Sequence, residues 1–266
     1  MGEVYVITSG KGGVGKTTTT ANIGTSLAML GYRVVLVDAD IGLRNLDVVM
    51  GLENRIVYDL VDVAHGRCRL RQALIRDRRF ETLYLLPAAQ TKDKNAISPE
   101  QMKALCDEVT KECDYLLVDC PAGIEQGFRN AVAGADRAIV VTTPEVAAVR
   151  DADRIIGLLE ASEIRNPLLI LNRIRPKMVR TGDMLDVDDV IEHLAIELLG
   201  IVPDDESIIV STNRGEPAVL NSHSKAGEAY RNISRRIAGE EVPLMNLENG
   251  GGFMDRVRRL LGLRTS

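Results

Sequence analysis

Residues 4–18 read Val4-Tyr5-Val6-Ile7-Thr8-Ser9-Gly10-Lys11-Gly12-Gly13-Val14-Gly15-Lys16-Thr17-Thr18: an aliphatic run, a glycine-rich turn, and a Lys-Thr pair that opens a helical pattern. The turn matches G-x-x-x-x-G-K-[ST] in full between a strand and a helix, the context the motif needs. Glycines let the backbone curl so that successive N–H groups face inward, and the helix N-terminus adds the positive end of its dipole. Such a loop binds phosphate. Lys16 is placed to neutralise the β- and γ-phosphates of a nucleotide and the Thr17 hydroxyl to coordinate Mg²⁺. Gly12, Gly13, Val14, Gly15 and Thr18 complete the cradle.

Outward from this loop, short aliphatic runs alternate with longer amphipathic segments, the pattern of βαβ units around a mostly parallel sheet. Strands are expected at residues 4–8, 34–38, 83–86, 115–119, 138–142, 168–172 and 198–202. Helices are expected at 17–30, 99–111, 147–160 and 225–238, the second opened by a capping box of Ser98 and Gln101. Hydrophobic residues make up 45% of the 266, with no Trp and three Phe, so the core is aliphatic. That suits strands buried on both faces. The fold class is α/β, a P-loop NTPase with a mostly parallel twisted sheet and helices on both faces.

Ligands of such sheets bind beyond the carboxyl ends of the strands, and three carboxylates stand there. Asp119 closes the run 115–118, where it would hold Mg²⁺ through water. Asp38 and Asp40 follow another aliphatic run, and either could position metal-bound water or the attacking water.

The formal charge of −5 argues against a protein that coats nucleic acid with its whole surface. Residues 250–266 hold Arg256, Arg258, Arg259 and Arg264 against Asp255, a balance of +3 that leaves −8 for the rest. Four cysteines without C-x-x-C spacing read as reduced thiols. With no signal-peptide pattern at the start, a cytoplasmic location is expected. Residues 1–238 read as one domain, 239–252 as a flexible Gly/Pro-containing linker, and 253–266 as a separate tip.

In a helical tip, Phe253, Met254, Val257, Leu260 and Leu261 share one arc while Asp255, Arg258 and Arg259 face away. At about 1.5 Å per residue, residues 253–263 would span roughly 16 Å. Such a helix can lie in a membrane interface but cannot cross it. With Arg256, the arginines would meet anionic headgroups.

Lys11 is a second lysine in the phosphate loop, and on its own it reads as solvent-facing. The stretch from Lys11 to Thr18 nevertheless resembles the deviant P-loop of the MinD and ParA class of ATPases. Residues 37–47, Val37-Asp38-Ala39-Asp40-Ile41-Gly42-Leu43-Arg44-Asn45-Leu46-Asp47, resemble that class's first switch. Residues 119–125, Asp119-Cys120-Pro121-Ala122-Gly123-Ile124-Glu125, resemble its second switch. The similarity covers about residues 3–238, and residues 253–263 resemble the membrane-targeting tip of its MinD branch.

The resemblance implies an ATP-dependent homodimer in which Lys11 reaches across to the partner's phosphates, much as an arginine finger does. It implies Asp40 for water activation, Asp38 for organising Mg²⁺ and the switch, Asn172 and Arg173 for the adenine, and Pro203, Asp204 and Asp205 for a loop bordering it. ATP is the implied substrate, since Asn172-Arg173-Ile174-Arg175 stands where a GTPase would show Asn-Lys-x-Asp. The implied function is an ATP-hydrolysing, membrane-cycling switch that places the division septum. Its implied partners are an anionic membrane, a MinC-type inhibitor and a MinE-type activator, with no stable nucleic-acid binding. A ParA-type partition ATPase, a redox protein of the nitrogenase iron-protein type and a small-molecule kinase stand as alternatives.

The six arginines within residues 67–79 read as a solvated helical face. Asp183, Asp186, Asp188 and Asp189 read as surface, and His65, His193 and His223 lack metal-ligand spacing. Cys120 reads as a packing thiol.

Overall fold

The strands are uninterrupted runs of Val, Ile and Leu, and a sheet made of them is stable only with both faces covered. The computed structural model describes residues 1–90 and 96–245. Strands β1 (Glu3–Thr8), β2 (Val34–Asp38), β3 (Ile75–Arg76), β4 (Leu83–Leu86), β5 (Tyr115–Asp119), β6 (Arg137–Thr142), β7 (Leu168–Ile174) and β8 (Glu197–Pro203) form one sheet. Its eight strands run in the order β3-β4-β2-β5-β1-β6-β7-β8, and only the β3–β4 pair is antiparallel.

The helices are α1 (Lys16–Met29), α2 (Leu46–Met50), α3 (Leu60–Ala64), α4 (Leu70–Ala73), α5 (Pro99–Val109), α6 (Gln126–Val132), α7 (Val146–Ala161), α8 (Pro176–Thr181), α9 (Val187–Leu194), α10 (Ser207–Asn213) and α11 (Lys225–Ile237). Alternation along the strands divides the core in two. Val4, Val6, Val35, Val37, Leu116 and Val118 face the layer of α5 and α7, through Met102, Leu105, Val149 and Ile155. Tyr5, Ile7, Val34, Leu36 and Leu117 face the layer of α1 and α11, through Ile23, Leu27, Tyr230 and Ile233. Gly24 is the close approach of α1 to the sheet, where any Cβ would strike the Leu36 side chain.

All seven expected strands and four expected helices form, with ends shifted by a few residues. The capping box of Ser98 and Gln101 is present at α5. Asp186 does comparable work for α9, accepting from the Asp189 N–H at 2.8 Å, so the acidic run is a helix start at the surface. Residues 67–79 are not the single helical face expected. They make the one-turn α4 and then the edge strand β3, because Leu70, Ala73 and Ile75 must all reach the core. Asp77 is buried and ion-paired to Arg79 at 2.6 Å.

The start of the expected linker is also held down. Arg236 donates to the carbonyls of Leu199 and Val242 at 2.7 Å each and to that of Pro243, and Met245 packs on the α1/α11 layer. The expectations for Phe253, Met254, Arg256, Val257, Arg258, Arg259, Leu260 and Leu261 lie outside the described residues. No helix among the described residues is long and apolar enough to cross a membrane.

Candidate functional site

The site lies where β1, β2 and β5 end side by side, because their registers align Ile7 and Asp38 with Asp119. After β1 the chain turns through Gly13 at φ 80° and Gly15 at φ 102°, backbone angles that residues with a Cβ seldom adopt. Gly15 is the N-cap of α1, and no side chain caps that terminus. Its first N–H groups therefore face the loop, an arrangement suited to anions.

Lys16 begins α1 and is only 8% exposed. Its Nζ donates to Ser9 Oγ at 3.0 Å, and Ser9 Oγ in turn donates to the Lys11 carbonyl at 2.8 Å. The hydroxyl thus props both the ammonium and the loop. Lys11 itself stands outward, with its Nζ 3.6 Å from the Glu145 carboxylate at the head of α7 and the two side chains 48% and 59% exposed. One loop therefore carries an inward and an outward cation.

Asp38 and Asp119 are buried neighbours. Asp38 accepts the N–H groups of Asp40, Asn45 and Leu46 at 2.9, 3.2 and 3.1 Å, so the segment that follows β2 is folded around its carboxylate. Asp119 accepts the Thr20 hydroxyl at 3.2 Å, one helical turn beyond Lys16. Burial pushes both carboxyls above their usual range. The Asp119 charge drives Asp38 further up, whereas Thr17, Lys16 and Thr20 pull Asp119 partly back.

Two desolvated carboxylates beside a threonine hydroxyl fit a divalent cation, whose charge would relieve both. Mg²⁺ characteristically keeps several waters and takes one or two carboxylates plus substrate phosphates. Among the described residues no cluster of three or more His, Cys, Asp and Glu is arranged to hold a metal, so the donor set fits that mode rather than an all-protein cage. Thr17, Asp119 and Asp38 would hold the ion, and its chemistry there is neutralisation of phosphate charge.

Asp40 is half-buried, and its N–H is fixed on Asp38. With Pro121, Gly127 and Asn130 it lines a small hollow of about 10 Å³, close to the space of one water. Asn130 is fixed from both ends: its amide donates to the Ile97 carbonyl at 2.7 Å and accepts from Gln126 at 2.8 Å. Cys120 is buried, which pushes its thiol up to about 12 and leaves it a packing group.

Asn172, near the end of β7, reaches back to the phosphate loop. Its Nδ2 donates to the Val14 carbonyl at 2.8 Å and its Oδ1 accepts the Arg173 N–H at 2.9 Å. A Cβ at Gly15 would collide with that same Nδ2. Both polar ends of the expected base reader are thus engaged within the chain, and Arg173 is held left-handed at φ 56° where β7 and β8 slip register.

Pro203 pairs with Ile174, and Asp204 is ion-paired with Arg175 at 2.6 Å. Asp205 accepts from the Ser207 N–H, the Ser224 hydroxyl and the Ala226 N–H, at 2.9, 3.0 and 3.0 Å. Burial is the largest single influence on its carboxyl and raises it, but these hydrogen bonds together outweigh burial and leave it below the usual range. The expected residues therefore fall into two groups at one end of the sheet: the phosphate and carboxylate centre, and the β7–β8 rim.

Sequence reading missed Ser9, Thr20 and Glu145. The spacing of Thr20 from Lys16 was an available signal, whereas nothing local marks Glu145, which meets Lys11 only across the sheet. At this end of the sheet Leu43, Ile124 and Val146, which follow β2, β5 and β6, are 64%, 51% and 59% exposed.

The comparisons agree with this architecture. The profile of the ParA family, described as NUBPL iron-transfer P-loop NTPase, matches residues 1–238. The septum site-determining protein MinD of Bacillus subtilis (strain 168) is 61% identical, with all of both chains covered. A solved MinC:MinD cell division protein complex from Aquifex aeolicus superposes with a TM-score of 0.87 at 51% identity, covering 92% of this chain and 98% of that one. MinD from Pyrococcus horikoshii OT3, solved complexed with Mg-ADP, gives a TM-score of 0.81 at 29% identity, covering 89% and 96%. With the phosphate loop, the carboxylate pair and the parallel sheet in place, the chain belongs to the MinD family of septum site-determining proteins, within the ParA class of P-loop NTPases.

Proposed function

We propose that this chain is an Mg²⁺-dependent ATPase that places the division septum by ATP-dependent dimerisation, reversible membrane binding and recruitment of a division inhibitor. The observation that carries the reading is the division of labour between two lysines of one loop. Lys16 is buried beneath the loop, whereas Lys11 stands exposed beside Glu145, at the end of the molecule where Leu43, Ile124 and Val146 are exposed too. A cation so placed serves a phosphate held by a second copy.

In this reading Gly12, Gly13, Val14, Gly15 and Thr18 wrap the phosphates with their backbone, and Thr17, Asp38 and Asp119 hold Mg²⁺. Asp40 orients the attacking water, and Asp38 links it to the segment 39–46. Arg173, Pro203 and Asp204 border the base, while Asp205 braces their loop against α11. Residues 253–266 dip into an anionic bilayer as a tip joined to the domain by a linker. One such tip binds weakly, and a dimer presents two, so the second contact forms at high effective concentration. ATP state thereby becomes location. The relatives named MinD support the septum role, and the MinC:MinD complex supports an inhibitor of that kind as partner. A MinE-type activator and a peripheral place on the inner face of the cell membrane complete the proposal.

The test is sedimentation with anionic liposomes in ATP and in ADP, using the full chain and a version ending at Gly252. Binding that requires both ATP and the last residues is the expected result. Full-length protein that binds ATP yet ignores liposomes would overturn the membrane cycle.

A further inference from the structure

At the opposite end of the sheet, the β3–β4 turn forms an open hollow of about 430 Å³ lined by Arg55, Arg76, Asp77, Arg78 and Glu81. Asp77 is turned inward and neutralised by Arg79. Arg55 ends a short turn after α2, and its Nη1 donates to the Arg76 carbonyl at 2.7 Å. Arg55, Arg76 and Arg78 are exposed, and none of them is ion-paired among the described residues. Some exposed arginines elsewhere, Arg33, Arg71 and Arg235, are paired with Asp114, Glu112 and Glu240 at 3.2, 2.7 and 2.7 Å, whereas here three cations share one hollow. Three guanidiniums gathered around one hollow repel one another, and an anion seated between them removes that cost. Guanidinium forks match phosphate oxygens in particular.

The position of the hollow says which phosphate. The turn sits at the amino ends of the strands, since the Asp77 N–H bonds the Leu83 carbonyl and the Val34 N–H bonds the Thr82 carbonyl, each at 2.8 Å. Helix α11 starts beside Asp205, at the carboxyl end of β8, and finishes with Arg236 on Leu199, near that strand's beginning. The described chain therefore ends at the same end of the sheet as the hollow, though at the opposite edge, beside β8 rather than β3, so both can face one flat surface. It ends on the same layer too, because Ile56 and Phe80 beside the hollow and Ile237 and Met245 beside the exit all pack against the α1/α11 core. From there residues 246–252 can reach at most about 23 Å before the segment holding Phe253, Leu260, Leu261 and four arginines begins.

We propose that the Arg55–Arg76–Arg78 hollow is a second membrane contact, a folded site for the phosphates of anionic lipid headgroups that works alongside residues 253–266. It rests on the reading of those residues as a membrane segment. The hollow has the extent of a headgroup and the chain is acidic overall, which favours a lipid over a polymer whose backbone would need a continuous basic track. Its effect is to orient the folded domain on the bilayer as well as tether it.

The test uses the full chain with ATP and vesicles of phosphatidylcholine, with or without phosphatidylglycerol. Arg76→Gln/Arg78→Gln, and the triple variant adding Arg55→Gln, are expected to bind phosphatidylglycerol vesicles about five- to tenfold more weakly, with a shallower salt dependence. Residual binding to pure phosphatidylcholine should not change. Glu81→Gln removes the one carboxylate at the rim and is expected to bind about twofold more tightly, a gain that misfolding cannot produce. Variants that bind phosphatidylglycerol vesicles as the parent does would overturn the hollow alone. A parent that binds no vesicles would overturn the hollow and the membrane tip together. Variants that keep vesicle affinity but lose retention of duplex DNA would overturn the lipid assignment in favour of a nucleic-acid contact.

Discussion

Asn172→Ala separates two roles for one amide, holding the phosphate loop or reading the base. In the fold its Nδ2 serves the Val14 carbonyl at 2.8 Å and its Oδ1 the Arg173 N–H at 2.9 Å, with Asn172 only 5% exposed. Truncation leaves both backbone groups without that partner, at about 1–3 kcal/mol for a buried group that stays unsatisfied. It also loosens Arg173 from its left-handed angle. A loss of about 2–3 kcal/mol follows, or about 5–10 °C in Tm for a chain of this size.

The binding consequence is more diagnostic. A slack loop loses affinity for every phosphate ligand alike, so ATP and inorganic pyrophosphate should both bind about tenfold more weakly, which is 1.4 kcal/mol. The assay is titration calorimetry of the two ligands against parent and variant, with thermal unfolding in parallel. Unchanged stability, or ATP weakened while pyrophosphate is not, would refute the bracing argument and return Asn172 to adenine recognition. Gly15→Ala supplies a cross-check, because its Cβ strikes the same Nδ2. Combined with Asn172→Ala, its cost should be less than the sum, the excess remaining from φ 102°.

Three further outcomes follow from the geometry. Lys11→Ala should leave Tm unchanged, since an ion pair at 3.6 Å between half-exposed groups contributes about 0–1 kcal/mol; turnover on membranes should fall at least about a hundredfold, and a fall under threefold would break the link between the outward lysine and a partner's phosphate. Asp119→Asn should raise the Tm of chelator-treated protein near pH 8 while abolishing Mg²⁺-dependent turnover. Its carboxyl is raised by burial, so the fold's preference for the protonated form is a stability present at low pH and lost as pH rises past the usual value of about 4. Asp205 has the opposite sign: its depressed carboxyl contributes stability above about pH 4 that is lost as pH falls. Asp205→Asn should therefore flatten the acid limb of a Tm-against-pH profile, and an unaltered limb would contradict the role given to its hydrogen bonds.

The sequence by itself determined the sheet class and the phosphate loop. Runs such as residues 34–38 and 115–119 are too uniformly aliphatic to leave a face in water, and the spacing of glycines, lysine and threonine from Gly10 to Thr17 marks the loop by itself. It could not show that residues 67–79 change from helix to edge strand, because one-turn elements lack a periodicity and take their form from the core that Leu70, Ala73 and Ile75 must reach. Nor could it place partners distant along the chain. The meeting of Asp38 with Asp119, of Asn172 with Val14 and of Lys11 with Glu145 depends on strand order and register. Those are set by how whole faces bury, and so the tertiary structure alone decided that the outward lysine, already marked by its place in the motif, would meet Glu145 at the head of α7.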